Sequence, residues 1–498
     1  MLPPCPAPFN MARHVLTRGA MTPQKTALSV VGAQGAEDWS YAQLIAAVRG
    51  TATGLLQRGL VPGDIVLMRL GNTTDFPLAY LGALAAGLVP APTAAALSAP
   101  EVAKLIEVLA PKAVLHDPQV PCPEGVATID LSELRMMHAL APAPWHMGDP
   151  DRLGYVIFTS GTSGNPMAVM HAHRAIWARQ MMFEGWYGLT GEDRLLHAGA
   201  FNWTYTLGTG LMDPWTMGAT ALIPAVGTAA ADLPALIAQH KATIFAAAPG
   251  VYRQMVKDGK HLEMPALRHG LSAGEKLAPA TQAQWEHATG TRTFEAFGMS
   301  ECSTFISGAP SRPAAAGSLG APQPGRNVAI LGAAGPVAAG TTGVIAVRRD
   351  DPGLMLGYLG APEQTAARFQ GDWFLTGDIG VADAEGFITY QGRADDMMNA
   401  GGFRVSPLEV EAVMGQAPGV TGIGVTEVAV KTGVTVIAAF YTAAAALDAT
   451  ALERYAQDNL ARYKQPRLYI HVPDLPQSAN GKLQRRRLKA AYEENNHV

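Results

Sequence analysis

Cysteine is scarce in this chain: Cys5, Cys122 and Cys302 are the only three among 498 residues. An odd count without paired spacing supports neither a disulfide framework nor a cysteine zinc site. Charge is also sparse, at 16% of residues, and 37 Lys and Arg nearly balance 41 Asp and Glu to leave a net −4. Such a chain has no field for a polyanion, so neither a nucleic-acid coat nor a polybasic membrane binder is expected. Long apolar runs are missing too. The most apolar stretch, Ala79 to Leu97, is interrupted by Pro90 and Pro92. A spanning helix needs about 20 unbroken apolar residues, so this stretch reads as a buried core helix followed by a strand. The opening Met-Leu-Pro-Pro-Cys-Pro has no basic region ahead of an apolar run. A secretory leader is therefore not expected, and a reducing cytoplasm is the expected compartment. No Ser stands in a Gly-x-Ser-x-Gly elbow between strand and helix, which leaves a serine hydrolase unsupported.

What is present is core-forming material: 48% of residues are hydrophobic, and 53 Gly and 36 Pro supply frequent turns. At roughly 100–200 residues per domain, the length allows two to four domains. Tyr41, Leu44, Ile45, Val48, Leu55 and Leu56 recur at helical spacing after Ser40, with Gln43 placed for a capping box and Gly59 as a stop. Strands are predicted at Asp64–Met68, Ala113–His116, Ala219–Pro224 and Thr243–Ala247, alternating with helical patterns, one of which starts near Asp75. The alternation predicts a layered α/β fold with largely parallel sheets. After about Gly340 the texture shifts to short Gly-bounded strands. A compact tail follows with a strand at Thr435–Tyr441, a helix near Ala451–Leu460 and a strand at Leu468–Val472. The expected seam lies near Arg393–Asp396, ahead of a small α+β domain.

Four segments carry chemistry. Thr159-Ser160-Gly161-Thr162-Ser163-Gly164-Asn165-Pro166 lies between an apolar run and a second predicted strand at Met167–His171. Its glycines admit close backbone approach, and its N–H groups and hydroxyls suit an oxyanion or phosphate. It lacks the Gly-Lys-Ser/Thr of a Walker loop. Glu295-Ala296-Phe297-Gly298-Met299-Ser300-Glu301 offers a carboxylate for Mg²⁺ and an aromatic ring for a base, or simply a strand end with a surface Glu. Thr376-Gly377-Asp378, with Arg393 fifteen residues on, can meet vicinal hydroxyls, or form a turn and a solvated ion pair. Asn480-Gly481-Lys482 can hold a cation where a transition state gains negative charge, or leave a surface Lys in a loop. His171 and His173 are two apart on a predicted strand without further ligand spacing, so packing or turn bonding is expected of them rather than a metal.

In this order and at these separations, the segments resemble the signature set of the adenylate-forming superfamily. That group includes acyl- and aryl-CoA synthetases, nonribosomal adenylation domains and luciferases. The stretch Gly392–Glu411 is especially similar to the benzoate-CoA ligase branch. The resemblance runs from the helix at Ser40 to Lys482. It implies an N-terminal domain of residues 1–394 that binds AMP and the acyl group, and a mobile C-terminal domain of residues 395–498 that pivots at Asp395. It further implies ATP, Mg²⁺ and CoA as cofactor or cosubstrates and a small carboxylic acid as partner, with a homodimer left open. A carboxylate first takes the α-phosphate of ATP to give acyl-AMP and pyrophosphate, and the CoA thiol then displaces AMP. On that resemblance Lys482 bridges the reacting anions and Glu301 holds the metal. Asp378 and Arg393 meet the ribose, and Phe297 stacks on adenine. Thr159, Ser160, Gly161, Thr162, Ser163, Gly164 and Ser300 approach phosphates, while Gly274, Glu275, Lys276, Glu295, Ala296, Gly298 and Met299 border the nucleotide. Phe201, Asn202, Trp203, Tyr205, Ala273, Gly274, Ala296 and Met299 match the acyl pocket, whose aromatic bulk favours a small or flat acid: a benzoate-like aryl acid first, a short- or medium-chain aliphatic acid second. Gly401, Gly402, Phe403 and Arg404 match the CoA site. The chain departs from the family at Met167 and Asn399, where relatives carry Lys, and at Ala168 in place of Gly. Alternatives are loading of a separate carrier protein and, prompted by Met167, a nucleotide binder without catalysis.

Overall fold

The computed structural model describes residues 3–159, 167–315, 317–394, 396–400, 403–431, 434–477 and 483–495, with backbone alone at 399, 400, 403, 404, 431 and 434. Ser160–Gly164, Asp395, Gly401, Gly402 and Lys482 lie outside the described residues, as do the side chains of Asn399, Phe403 and Arg404. The chain forms two compact units. One comprises residues 1–328 and 347–374, and the other residues 329–346 and 375–498. The fold is mixed α/β, with a large N-terminal part and a smaller C-terminal domain.

The first unit is built on a nine-stranded sheet. Its order is Ala321–Pro322, Ser303–Ser307, Thr293–Met299, His269–Ala273, Ile244–Ala247, Arg194–His197, Thr220–Pro224, Thr26–Gly32 and Gly35–Ser40. The central strands run parallel and the outer ones antiparallel. These central strands are short and almost wholly apolar because both faces are covered. A separate four-stranded parallel sheet contains Val89–Pro92, Ile65–Arg69, Ala113–His116 and Thr128–Asp130. The helix Tyr41–Gln57 starts with the Ser40–Gln43 capping box, both reciprocal bonds present. The apolar stretch after it resolves into the fully buried helix Asp75–Ala85 and the buried strand Val89–Pro92.

A third, antiparallel sheet matters most for the site. It pairs Leu153–Thr159 with Met167–Ala172, which in turn pairs with Gly357–Tyr358. Thr159 lies opposite Met167, so this hairpin frames the Ser/Thr/Gly loop.

In the second unit, Asp378 on the strand Trp373–Ala382 lies opposite Arg393 on Ile388–Arg393. The tight turn expected at Thr376–Asp378 is instead part of this strand. Gly377 adopts φ +79°, and an added Cβ there would come within 3.0 Å of Arg393 Nη2. The positive φ bends the strand locally while its pairing continues. The tail consists of a hairpin of Gly422–Lys431 with Val434–Thr442, a parallel strand Leu468–His471, and helices Pro407–Met414, Ala449–Asn459 and Arg485–Asn495.

Candidate active site

The strand Thr293–Met299 delivers its end segment into a tight setting. It pairs with Ser303–Ser307 through an irregularity between Phe297 and Gly298. A Cβ on Gly298 would lie 2.3 Å from Ser303 O and 2.5 Å from Thr304 Cα, so only glycine lets these backbones approach. Beyond it, Glu301 is not a surface residue; it is 7% exposed. Tyr358 donates its hydroxyl to Glu301 Oε1 at 2.7 Å, and Met355 N–H donates to the Glu301 carbonyl at 2.8 Å. His171 Nε2 is 2.7 Å from the Ser300 carbonyl, and its ring stacks on Tyr155 with centroids 4.8 Å apart. Burial lowers the His171 pKa to about 4, so the ring is neutral and Nε2–H is the donor. Tyr358 and His171 belong to the sheet that frames the Ser/Thr/Gly loop. One small sheet therefore frames that loop and grips the Ser300–Glu301 turn. Neither grip was anticipated from sequence, since each joins residues more than fifty positions apart.

Among the described residues no group of three His, Cys, Asp or Glu side chains could hold a metal. A single carboxylate with one oxygen already engaged does not make a protein cage. It does fit Mg²⁺, which takes one or two carboxylates and completes its octahedron with phosphates and water. His173 serves the fold: its Nδ1 accepts from Met11 N–H at 3.1 Å.

The neighbouring strand His269–Ala273 pairs in parallel with Thr293–Met299, setting Ala273 beside Ala296 and Ser272 beside Glu295. Trp203, Tyr205, Ala273 and Ala296 then pack in one apolar cluster. Gly274, at φ +95°, closes against the Trp203 ring, where an added Cβ would meet Cζ2 at 2.5 Å. Phe201 is not in this group. It is buried in another cluster and packs on Phe76, with ring centroids 5.8 Å apart. Glu295 accepts from Leu277 N–H at 3.4 Å, which ties the strand to the Gly274–Leu277 segment, and burial pushes its carboxyl up to about 7.

In the second unit, Asp378 is 5% exposed and both of its oxygens are engaged. Tyr390 donates its hydroxyl to Oδ1 at 3.1 Å, and Arg393 Nη1 lies 3.3 Å from Oδ2. Burial and the adjacent Asp378 push the Tyr390 phenol well above its ordinary range, so it remains a donor. Further along, Arg485 forms a two-bonded pair with Glu411, at 3.0 and 2.6 Å, and lies 3.6 Å from Asp396. A bridge between Gln477 and Leu483 brackets the segment that contains Lys482.

With this geometry described, the comparisons with known proteins decide the family. Residues 16–359 match the AMP-binding enzyme family, and residues 409–482 match the AMP-binding enzyme C-terminal domain. The chain belongs to the AMP-binding enzyme family. It is an enzyme of the adenylate-forming superfamily, with similarity to the benzoate-CoA ligase branch. It is 29% identical over 492 residues to a 3-hydroxybenzoate–CoA ligase of Aromatoleum sp. (strain CIB), covering 93% of this chain and 92% of that one. A benzoate CoA ligase from Burkholderia xenovorans LB400 superposes with TM-score 0.83 at 26% identity, covering 97% of this chain and all of that one. ATP-bound MatB from Rhodopseudomonas palustris superposes with TM-score 0.88 at 25% identity, over 98% and 99% of the two chains.

Proposed function

We propose that this AMP-binding enzyme joins a small aromatic carboxylic acid to CoA at the expense of ATP, through an acyl-AMP intermediate. The observation that carries the reading is the gripped turn: Ser300 pinned through its carbonyl and Glu301 through one carboxylate oxygen, beside the apolar group Trp203, Tyr205, Ala273 and Ala296. A carboxylate is a poor acyl donor because its leaving group would be oxide, and adenylation substitutes a stable phosphate. Attack on the α-phosphorus joins two anions. The barrier therefore falls when a fixed cation lies between them, and Lys482 supplies it. One preorganised charge donor of this kind is worth roughly 3–4 kcal/mol.

Glu301 would hold Mg²⁺, which would supply positive charge to the phosphates. Thr159, Ser160, Thr162 and Ser300 donate to the phosphates, Phe297 packs on the base, and Asp378 with Arg393 fixes the ribose. Gly274, Glu275, Lys276 and Glu295 border the adenine. Trp203, Tyr205, Ala273 and Ala296 wall the acid, which favours a flat ring over a long acyl chain. Residues 395–498 turn about Asp395 between the two half-reactions. Lys482 serves the first, and Gly401, Gly402, Phe403 and Arg404 border the pantetheine path in the second.

A panel of carboxylic acids scored for AMP release with and without CoA tests the reading. Release that requires both an aromatic acid and CoA, and falls by about 10²–10³ in Lys482→Ala, is expected. ATP binding without acid-dependent pyrophosphate release from any acid would replace it with the non-catalytic reading that Met167 prompts. Acid-dependent pyrophosphate release without thioester formation on CoA would favour a carrier-protein acceptor.

A further inference from the structure

His197 ends the strand Arg194–His197 and is completely buried, yet neither Nδ1 nor Nε2 has a hydrogen-bond partner. The Thr206 hydroxyl is likewise buried and without a partner. The two groups flank one point: a Cβ added to Gly199 would lie 2.3 Å from Thr206 Oγ1 and 3.1 Å from His197 Nδ1. Register decides which side of the sheet His197 faces. His197 lies beside Ala246, and Ala246 beside Leu271. Leu271 and Ala273 are two apart on one strand and so share a face, which is the face covered by Tyr205 and Trp203. The His197 ring meets the Tyr205 ring edge-on, with centroids 4.5 Å apart, and Tyr205 meets Trp203 in the same way at 5.5 Å. Burial lowers the His197 pKa to about 3, so the imidazole is neutral and offers one donor and one acceptor.

A buried polar group without a partner costs about 1–3 kcal/mol, and here His197, against the Tyr205 ring, and Thr206, next to it at Gly199, both carry that cost. A purely apolar ring would leave it in place. A ring hydroxyl, itself donor and acceptor, would remove it.

Building on the proposed ligase activity, we propose that His197 and Thr206 are specificity residues that read a hydrogen-bonding substituent on the acid. The substrate class is then an aromatic carboxylic acid bearing a hydroxyl or amino group, rather than an unsubstituted ring.

The test compares kcat/KM for AMP release, with CoA present, from benzoate, the three hydroxybenzoates and the three aminobenzoates. At least one substituted acid is expected to exceed benzoate by about ten- to a hundredfold, mainly through KM. In His197→Phe and in the near-isosteric Thr206→Val that ratio should collapse to within about threefold. Thr206→Ser should retain it. Thr206→Val keeps the test decisive if His197→Phe does not fold. Equal turnover of benzoate and every substituted acid would overturn this inference and leave the ligase reading intact, as would an unchanged ratio in Thr206→Val. Turnover of none of the acids would overturn both.

Discussion

Two carboxylates anchor the two units, and they are held in opposite ways. Glu301 and Asp378 are almost equally buried, at 7% and 5% exposed. Glu301 meets a neutral hydroxyl on one oxygen, whereas Asp378 meets a hydroxyl on one oxygen and a guanidinium on the other. A half-engaged, uncompensated carboxylate is suited to a cation. A charge-compensated carboxylate, oriented on both sides, is suited to neutral hydroxyls. Burial alone does not distinguish these roles; the partners do.

The contrast breaks most visibly at Glu301. Glu301→Gln keeps the shape and the Tyr358 bond but removes the charge, and should lower kcat/KM by about 10²–10³ while raising the Mg²⁺ concentration needed for half-maximal rate. A Mg²⁺ titration of AMP release checks both; an unchanged midpoint would remove Glu301 from the metal. Asp378→Asn should act on the nucleotide instead. Hydrogen bonds to a charged group contribute about 1.5–3 kcal/mol, so KM for ATP should rise roughly ten- to a hundredfold with the Mg²⁺ midpoint unmoved.

Smaller effects sharpen the comparison. Tyr358→Phe and Tyr390→Phe each delete one neutral donor, worth about 0.5–1.5 kcal/mol. The first should shift Mg²⁺ dependence and the second ATP affinity, each by roughly two- to tenfold in steady-state kinetics. The smallest effect concerns stability. Glu295 is raised by burial to about 7, so the folded form holds its proton where the unfolded chain, near 4.5, has released it. Its contribution is present below the unfolded value and is lost as pH rises towards 7. Urea midpoints between pH 5 and pH 8 should therefore fall less in Glu295→Gln than in the parent, and an equal fall would show that this carboxyl is not the cause.

Local physics was legible. The Ser40–Gln43 cap formed as spaced, because both of its bonds lie within four residues. The proline-interrupted apolar stretch became a buried helix and strand: Gly87, at φ +82°, lies between them, and Pro90 and Pro92 sit within Val89–Pro92, an edge strand that tolerates their missing N–H groups. The order of the motifs also carried the family. The burial of Glu301 did not show, since a Glu ending a strand looks the same whether water or Tyr358 faces it. The packing of Phe201 on Phe76 did not show either, since the two rings lie far apart along the chain.

Sequence by itself determined most of the elements and the family. Those depend on residue type and on spacing along the chain. Only the tertiary structure decided that Glu301 is buried with Tyr358 on one of its oxygens, and that His197 and Thr206 are buried side by side without partners. Such facts depend on strand register and on contacts between distant residues, where a one-residue slip would turn each side chain to the opposite face.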